Sequence, residues 1–190
     1  MNRLSLYEPA DIEIYIKDKG IVLREKSLIA IGTEGKLPKI LAVGNEVEKI
    51  NPISNNIVIL SPLHQGTIDD FITAEKMFAY FFKKAIKHNF LKSPSISLCI
   101  PFQIDNINLK AYQDAIYMSG KAKKVKFIFK SLEEFLQTAS PEELEEHKII
   151  LNITKDSPIE YVRERVKETI KYASQYGITK DQLLDIMKEL

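Results

Sequence analysis

The chain has one cysteine, three histidines and seven glycines in 190 residues, and its 27 basic residues are balanced by 26 acidic ones. Each scarcity excludes something. A single thiol cannot build a disulfide framework, and Cys99 stands inside the apolar run "SISLCIP", where a core residue is expected rather than a nucleophile. Such cysteine usage is that of a reducing cytoplasm, the expected location. His64, His88 and His147 lie far from one another and from Cys99 in the sequence, so no metal-ligand spacing exists and no metal is expected. A net charge of +1 supplies no overall field that would recruit nucleic acid. No run approaches the roughly 20 apolar residues of a membrane-spanning helix. The opening "MNRLSLYEPADIE" has charges where a secretory signal needs an apolar stretch, so neither a span nor export is expected. Glycine is also sparse where phosphate chemistry needs it: "IGTEGKLPK" holds Gly32, Gly35 and Lys36 without the spacing or following hydroxyl of a phosphate loop. A hairpin turn accounts for those residues, and no G-x-S-x-G elbow occurs anywhere.

What is present is an ordinary globular pattern. With 45% hydrophobic residues, a chain of this length buries roughly 70% of its unfolded surface. Strand-like runs fall at 12–17, 20–24, 28–32, 39–43, 57–60, 95–100, 125–129 and 148–153. Residues 72–88, "ITAEKMFAYFFKKAIKH", set Met77, Phe78, Phe81, Phe82, Ala85 and Ile86 on one helical face. A second helix over 106–119 ends at Gly120, a suitable C-cap. Ser140-Pro141-Glu142-Glu143 and Ser157-Pro158-Ile159-Glu160 both have the form of a helix start, a capping serine followed by proline and a glutamate three residues on. From 157 to 176 the apolar stripe is Ile159, Val162, Val166, Ile170 and Ala173, after which Thr179 is placed to cap a last short helix. This pattern predicts an α/β fold, a mixed sheet flanked by helices. A smaller β-rich insertion is expected over 33–68 within a larger subdomain of 1–32 and 69–156, with a helical tail over 157–190 packed on it. Residues 121–130 hold five lysines, but six glutamates over 133–146 compete for them, so a salt-bridged surface is expected and no nucleic-acid partner.

Taken together, "IYIKDKGIVLREKSLIAIG", "KILAVGNEVEKI", "NIVILSPLHQGTIDDFITAEKMFAYFFKKA", "SISLCIP" and "AIYMSG" resemble the N-terminal half of the MreB/Mbl family, the bacterial actin-like rod-shape proteins. The correspondence runs over residues 12 to about 130. It is carried by Tyr15, Lys17 to Leu23, Leu41 to Gly44, Ser61 to Phe71, the 72–88 helix and Cys99 to Pro101. The resemblance implies an actin-like fold of the ribonuclease-H type, with 33–68 as the small polymer-facing subdomain. It covers the first of the family's two lobes, and one lobe supplies at most half of a nucleotide site.

The same resemblance implies that the phosphate chemistry is gone. The family's first phosphate loop, D-x-G-T, falls on Leu6-Tyr7-Glu8-Pro9, where leucine replaces the carboxylate that supports the metal, glutamate replaces the glycine, and proline has no N–H. Its water-positioning glutamate falls on Asn108, and its acidic E-E-P falls on Phe129-Lys130-Ser131. The second phosphate loop falls near Asn152-Ile153-Thr154-Lys155-Asp156 without its glycines. The expectation is a pseudo-ATPase with no catalytic residues and no cofactor. Many family members touch the inner membrane through an apolar pair after the long helix. Phe90 and Leu91 stand there, with Lys84, Lys87 and Lys92 nearby, although these two side chains could equally staple the helix end to the core. The function implied is a non-catalytic accessory or regulator of an MreB-type cytoskeleton in cell-shape determination. Its partner would be an MreB-type filament or another protein of the cell-shape complex, with peripheral contact at the inner-membrane face. The alternatives are a sensor or residual nucleotide-binding protein using the old cleft, and an unrelated interaction module on the same fold.

Overall fold

A computed structural model describes residues 9–34, 38–50, 56–64, 66–86, 94–100, 104–154, 170, 173–179 and 182–183. The described residues begin with the antiparallel pair Asp11–Ile16 (β1) and Gly20–Lys26 (β2), joined by a turn at Lys17-Asp18-Lys19-Gly20. Next come Ile29–Gly32 (β3), Lys39–Val43 (β4), a 3-10 helix at Gly44–Lys49 and Ile57–Leu60 (β5). Two two-residue strands, Leu63–His64 (β6) and Thr67–Ile68 (β7), lead into the long helix Phe71–Ala85 (α1). The remainder alternates: Ser95–Cys99 (β8), Asn106–Met118 (α2), Lys124–Ile128 (β9), Leu132–Thr138 (α3), Pro141–Glu146 (α4) and Ile149–Ile153 (β10).

The main sheet has the order β2-β1-β10-β8-β9. β10 is parallel to β8 and antiparallel to β1, with Leu151 opposite Ile14 on one side and Leu98 on the other. A strand flanked on both sides and covered on both faces is buried along its length, and all five residues of "IILNI" are, four of them apolar and Asn152 bonded to Glu13 of β1. Alternation along it sends Ile149, Leu151 and Ile153 into the principal core beneath α1 and α2, and Ile150 into a second core with Cys99, Ile128, Leu132 and Phe135. The α1 face foreseen from spacing is the one that is buried: Met77, Phe78, Phe81 and Phe82 have no exposed surface. Each contributes roughly 1.5–3 kcal/mol. Asp70 caps α1 by accepting the Thr73 N–H at 3.1 Å. α2 runs to Met118, with Gly120 beyond it at φ +73° as expected.

A second sheet, β4-β3-β5, stands beside the first. It takes in β3, so this sheet begins one strand before residue 33, where the inserted subdomain was expected to start. The reason is a short connection: Ser27 and Leu28 turn the chain out of β2, with the Ser27 N–H donating to the Ala10 carbonyl and the Leu28 N–H to the Lys26 carbonyl, both at 2.8 Å. β3 and β4 form the hairpin expected around Gly32 and the Gly35-Lys36 turn, although Gly35 and Lys36 themselves lie outside the described residues.

The Ser140 start is a full capping box, the serine accepting the Glu143 N–H while the Glu143 side chain accepts the Ser140 N–H. The Ser157 start and most of the expected 157–176 helix lie outside the described residues. Within the tail, Ala173 is buried and Ile170 half-buried. Thr179 makes a reciprocal cap with Gln182, its hydroxyl accepting at 3.3 Å and its N–H donating at 2.9 Å.

Candidate functional site

The topology gathers the expected site segments at one edge of the main sheet. β8, β9 and β10 are parallel, and β1 is antiparallel to β10. The start of β1, the ends of β8, β9 and β10, and the approach to α2 therefore share one end. This carboxyl end of the parallel strands is where open α/β sheets bind ligands. Pro9, Asn108, Lys130 and Thr154 all belong to it, whereas Leu6, Tyr7, Glu8, Lys155 and Asp156 lie outside the described residues.

The backbone and side-chain groups at this edge are committed to one another. The Asp11 N–H donates to Thr154 Oγ1 at 3.1 Å, and the Thr154 N–H donates to the Asp11 carbonyl at 3.0 Å. Asp11 and Thr154 thus extend the pairing of β1 with β10 by one residue beyond Ile12 and Ile153. The Asp11 carboxylate pairs with Lys26 at 2.8 Å. Asn108 sits in the first turn of α2, its N–H and Nδ2 both donating to the Asp105 carboxylate at 2.8 and 2.9 Å. These bonds, the backbone one first, hold the Asp105 carboxyl below its ordinary range. Asn108 is therefore a helix-capping partner, and an amide cannot take a proton from water. Lys130 donates to Thr138 Oγ1 at 3.3 Å, and Ser131 caps α3 by accepting the Glu134 N–H. Asn152 is buried in β10, where it donates to Glu13 Oε2 at 3.0 Å. Glu13 Oε1 accepts from Arg24 Nε at 2.7 Å.

Cys99, the last residue of β8, is fully buried, and that burial pushes its thiol up to about 12, so no thiolate forms near neutral pH. Among the described residues no group of three His, Cys, Asp or Glu is placed to hold a metal ion. The lysine-rich stretch meets the acidic helix as the charge pattern implied. Lys126 pairs with Glu146, and Glu145 is shared by Lys148 and Lys17, which together bring its carboxyl down to about 2. Lys84 is held by Glu25 at 2.7 Å, and that bond raises its pKa above the ordinary lysine value. Phe90, Leu91, Lys87 and Lys92 lie outside the described residues. No described helix is long and apolar enough to cross a membrane.

Two clusters were not legible in the sequence. One is Glu25, buried in β2, which accepts from Lys84 of α1 and from the Asn45 N–H at 2.7 Å each and so ties the helix, the main sheet and the 3-10 helix together. The other is His147, whose Nδ1 lies 2.6 Å from Ser97 Oγ and whose ring stands edge-on to Phe135. Burial, then the charge of Lys126, lowers its pKa, so the ring is neutral at neutral pH. Ser97 has no exposed surface, which makes this pair a packing contact rather than a nucleophile and base. Fifty-nine and fifty residues separate the partners of these clusters, and no local pattern signals pairs at that range.

Comparison with known proteins agrees with this architecture. The family model described as "MreB/Mbl protein" matches residues 8–153. The cell shape-determining protein Mbl of Bacillus cereus is 38% identical over 112 residues, which is 58% of this chain and 33% of that protein. The cell shape-determining protein MreB of Haemophilus influenzae is 35% identical over 115 residues with the same shares, and that of Escherichia coli K12 is 30% identical. The chain thus spans about a third of the length of these relatives. Among solved structures, MreB 5 of Spiroplasma citri bound to AMPPNP superposes with a TM-score of 0.56 at 20% identity, covering 73% of this chain and 41% of the other, and the shared fold is actin-like. On the family match over most of its length, this chain belongs to the MreB/Mbl family.

Proposed function

We propose that this chain is a non-catalytic member of its family, a pseudo-ATPase that acts as an accessory or regulator of a bacterial actin-like cytoskeleton in cell-shape determination. The observation that carries the proposal is the closed edge of the main sheet. There Asp11 and Thr154 consume each other's backbone donors, and Asn108 is bound to Asp105. A site for a nucleotide needs free N–H groups converging on phosphate and a carboxylate to direct water. Neither is offered by the described residues of this edge. Glu8, next to it in the sequence where the family has glycine, adds a like charge against phosphate.

On this proposal the chain binds the flank or end of an MreB-type filament through surfaces it shares with filament subunits. It works in the cytoplasm at the inner-membrane face, with Phe90 and Leu91 as the apolar contact and Lys87 and Lys92 beside them. Co-pelleting with polymerised MreB from the same organism tests the partner: the chain is expected in the pellet only when polymer is present. Calorimetry with ATP and magnesium tests the chemistry, and no binding heat is expected. A saturable heat would turn the conclusion to the nucleotide-sensor alternative. A chain left wholly in the supernatant beside intact polymer would leave an interaction module of another process.

A further inference from the structure

Sheet edges expose unpaired N–H and C=O groups, and proteins that stay monomeric obstruct them with bulges, lysines, short strands or covering groups. The edges of the main and second sheets can be compared one by one. At β2 the register shifts between Ile14 and Tyr15 of its partner strand, and the Asn45 side chain takes the outer groups, accepting the Lys26 N–H at 2.9 Å and donating to the Arg24 carbonyl at 3.3 Å. At β9 the outer strand carries Lys124 and Lys126. At β4 the register against β3 shifts between Ala30 and Ile31, so that Leu41 bulges out, and Lys39 begins the strand. β6 and β7 have two residues each.

β5 has four residues but carries no bulge, no lysine and, among the described residues, no covering side chain. Its sequence is Ile57-Val58-Ile59-Leu60, flanked by Asn56 and Ser61, without a charge, and its register with β3 is unbroken. The Thr33 N–H donates to the Asn56 carbonyl at 2.8 Å, which makes Thr33 and Asn56 a hydrogen-bonded pair. By the alternation of antiparallel ladders, Ile31 with Val58 and Ile29 with Leu60 are bonded pairs too, and the backbone groups of Ile57 and Ile59 point outward. Among the described residues nothing bonds them. Val58 is 46% exposed, and Ile40, which shares the Ile31 position across β3, is 38% exposed, so the sheet face next to this edge is apolar as well.

We propose that β5 is an association edge for a second copy of this chain, which pairs antiparallel about a two-fold axis at Val58. In that register Ile57 faces Ile59 of the other copy and Ile59 faces its Ile57, each pair exchanging two hydrogen bonds. Val58 meets its own counterpart as the close, non-bonded pair. The two small sheets become one sheet of six strands. Ile31, Ile40 and Val58 then form a continuous apolar face across the axis. A second copy is favoured because a two-fold axis sets every residue opposite or near its own equivalent. A charged strand would repel itself there, and this strand has no charge. The strand has four residues, a short edge beside the roughly 1,200 Å² of total surface that stable specific interfaces bury, so association is expected to be weak and to depend on concentration. This inference is independent of the filament role proposed above.

Sedimentation velocity of the full chain over a concentration series tests it, with far-UV circular dichroism to confirm that each variant is folded. The wild type is expected to shift from monomer toward dimer as concentration rises. Val58→Lys, which puts lysines face to face across the axis, is expected to raise the dissociation constant at least about tenfold. So is Val58→Glu alone. An equimolar mixture of the Val58→Lys and Val58→Glu chains is expected to recover dimer, because the paired positions then carry opposite charges. A wild type whose mass stays that of a monomer at every concentration overturns the proposal. So does a dimer that Val58→Lys leaves unchanged, or a mixture that associates no better than either variant alone.

Discussion

Gly44 shows how one residue can hold two sheets in place. It lies at φ +70°, at the junction of β4 and the 3-10 helix. A Cβ there would overlap Glu25 Oε2 and come within 3.0 Å of the Phe81 ring. Glu25 cannot retreat without releasing Lys84 and the Asn45 N–H, and Phe81 is fully buried. Gly44→Ala therefore combines the strain of a left-handed side chain with a displaced buried carboxylate. The expected cost is about 2–4 kcal/mol, measured as a lower urea midpoint. A midpoint equal to wild type would mean that Glu25 is not held as tightly as its bonds imply. Leu41 to Gly44 already stood among the residues carrying the resemblance, but the sequence contains no hint that Glu25 is what excludes a larger residue.

At the scale of elements, β10 is the central strand although it comes late in the chain, after all the other described strands. Its neighbours β1 and β8 have no other bridge between them, so the main sheet is complete only once this segment is in place. The tail beyond β10 also bears on whether the sheet stays covered. Along the 157–176 stripe the last members are buried Ala173 and half-buried Ile170, an apolar end turned toward protein. Deleting residues 157–190 is expected to expose the surface this stripe covers and to give an aggregating or unfolded product, read by light scattering and circular dichroism. A monomeric, cooperatively melting truncation would show that the tail is dispensable. The strands and helices were largely legible beforehand, within a residue or two at most ends, because β-branched runs, capping serines and the aromatic stripe of α1 are local signals. β6 and β7 were not, since two-residue strands have no periodicity to detect.

At the scale of the whole molecule, the proposed membrane contact rests on Phe90 and Leu91. Inserting Phe90 and Leu91 into a bilayer would contribute roughly 3–6 kcal/mol, with about 1 kcal/mol from each nearby lysine on an anionic surface. Lys84 adds little to that sum while it is bound to Glu25. Single copies are thus expected to bind weakly, and a filament or a dimer would supply avidity. Sedimentation with anionic liposomes is expected to pellet the wild type more than Phe90→Ser/Leu91→Ser. Equal pelleting would remove the membrane from the proposed function and leave those side chains as a staple of the helix end.

The sequence by itself determined the family and the order of elements, because both rest on local composition and on residues close together in the chain. The proposal that phosphate binding is lost likewise rests on residue identity at Glu8, Pro9 and Asn108 rather than on position. Only the tertiary structure decided that β10 lies between β1 and β8, that Asp11 and Thr154 bond each other across β1 and β10, and that β5 is, among the described residues, an edge without a bulge, a lysine or a covering side chain. Those are statements about which backbone groups meet, and hydrogen bonds between residues as far apart as 143 positions are set by how the sheet closes, not by any pattern along the chain.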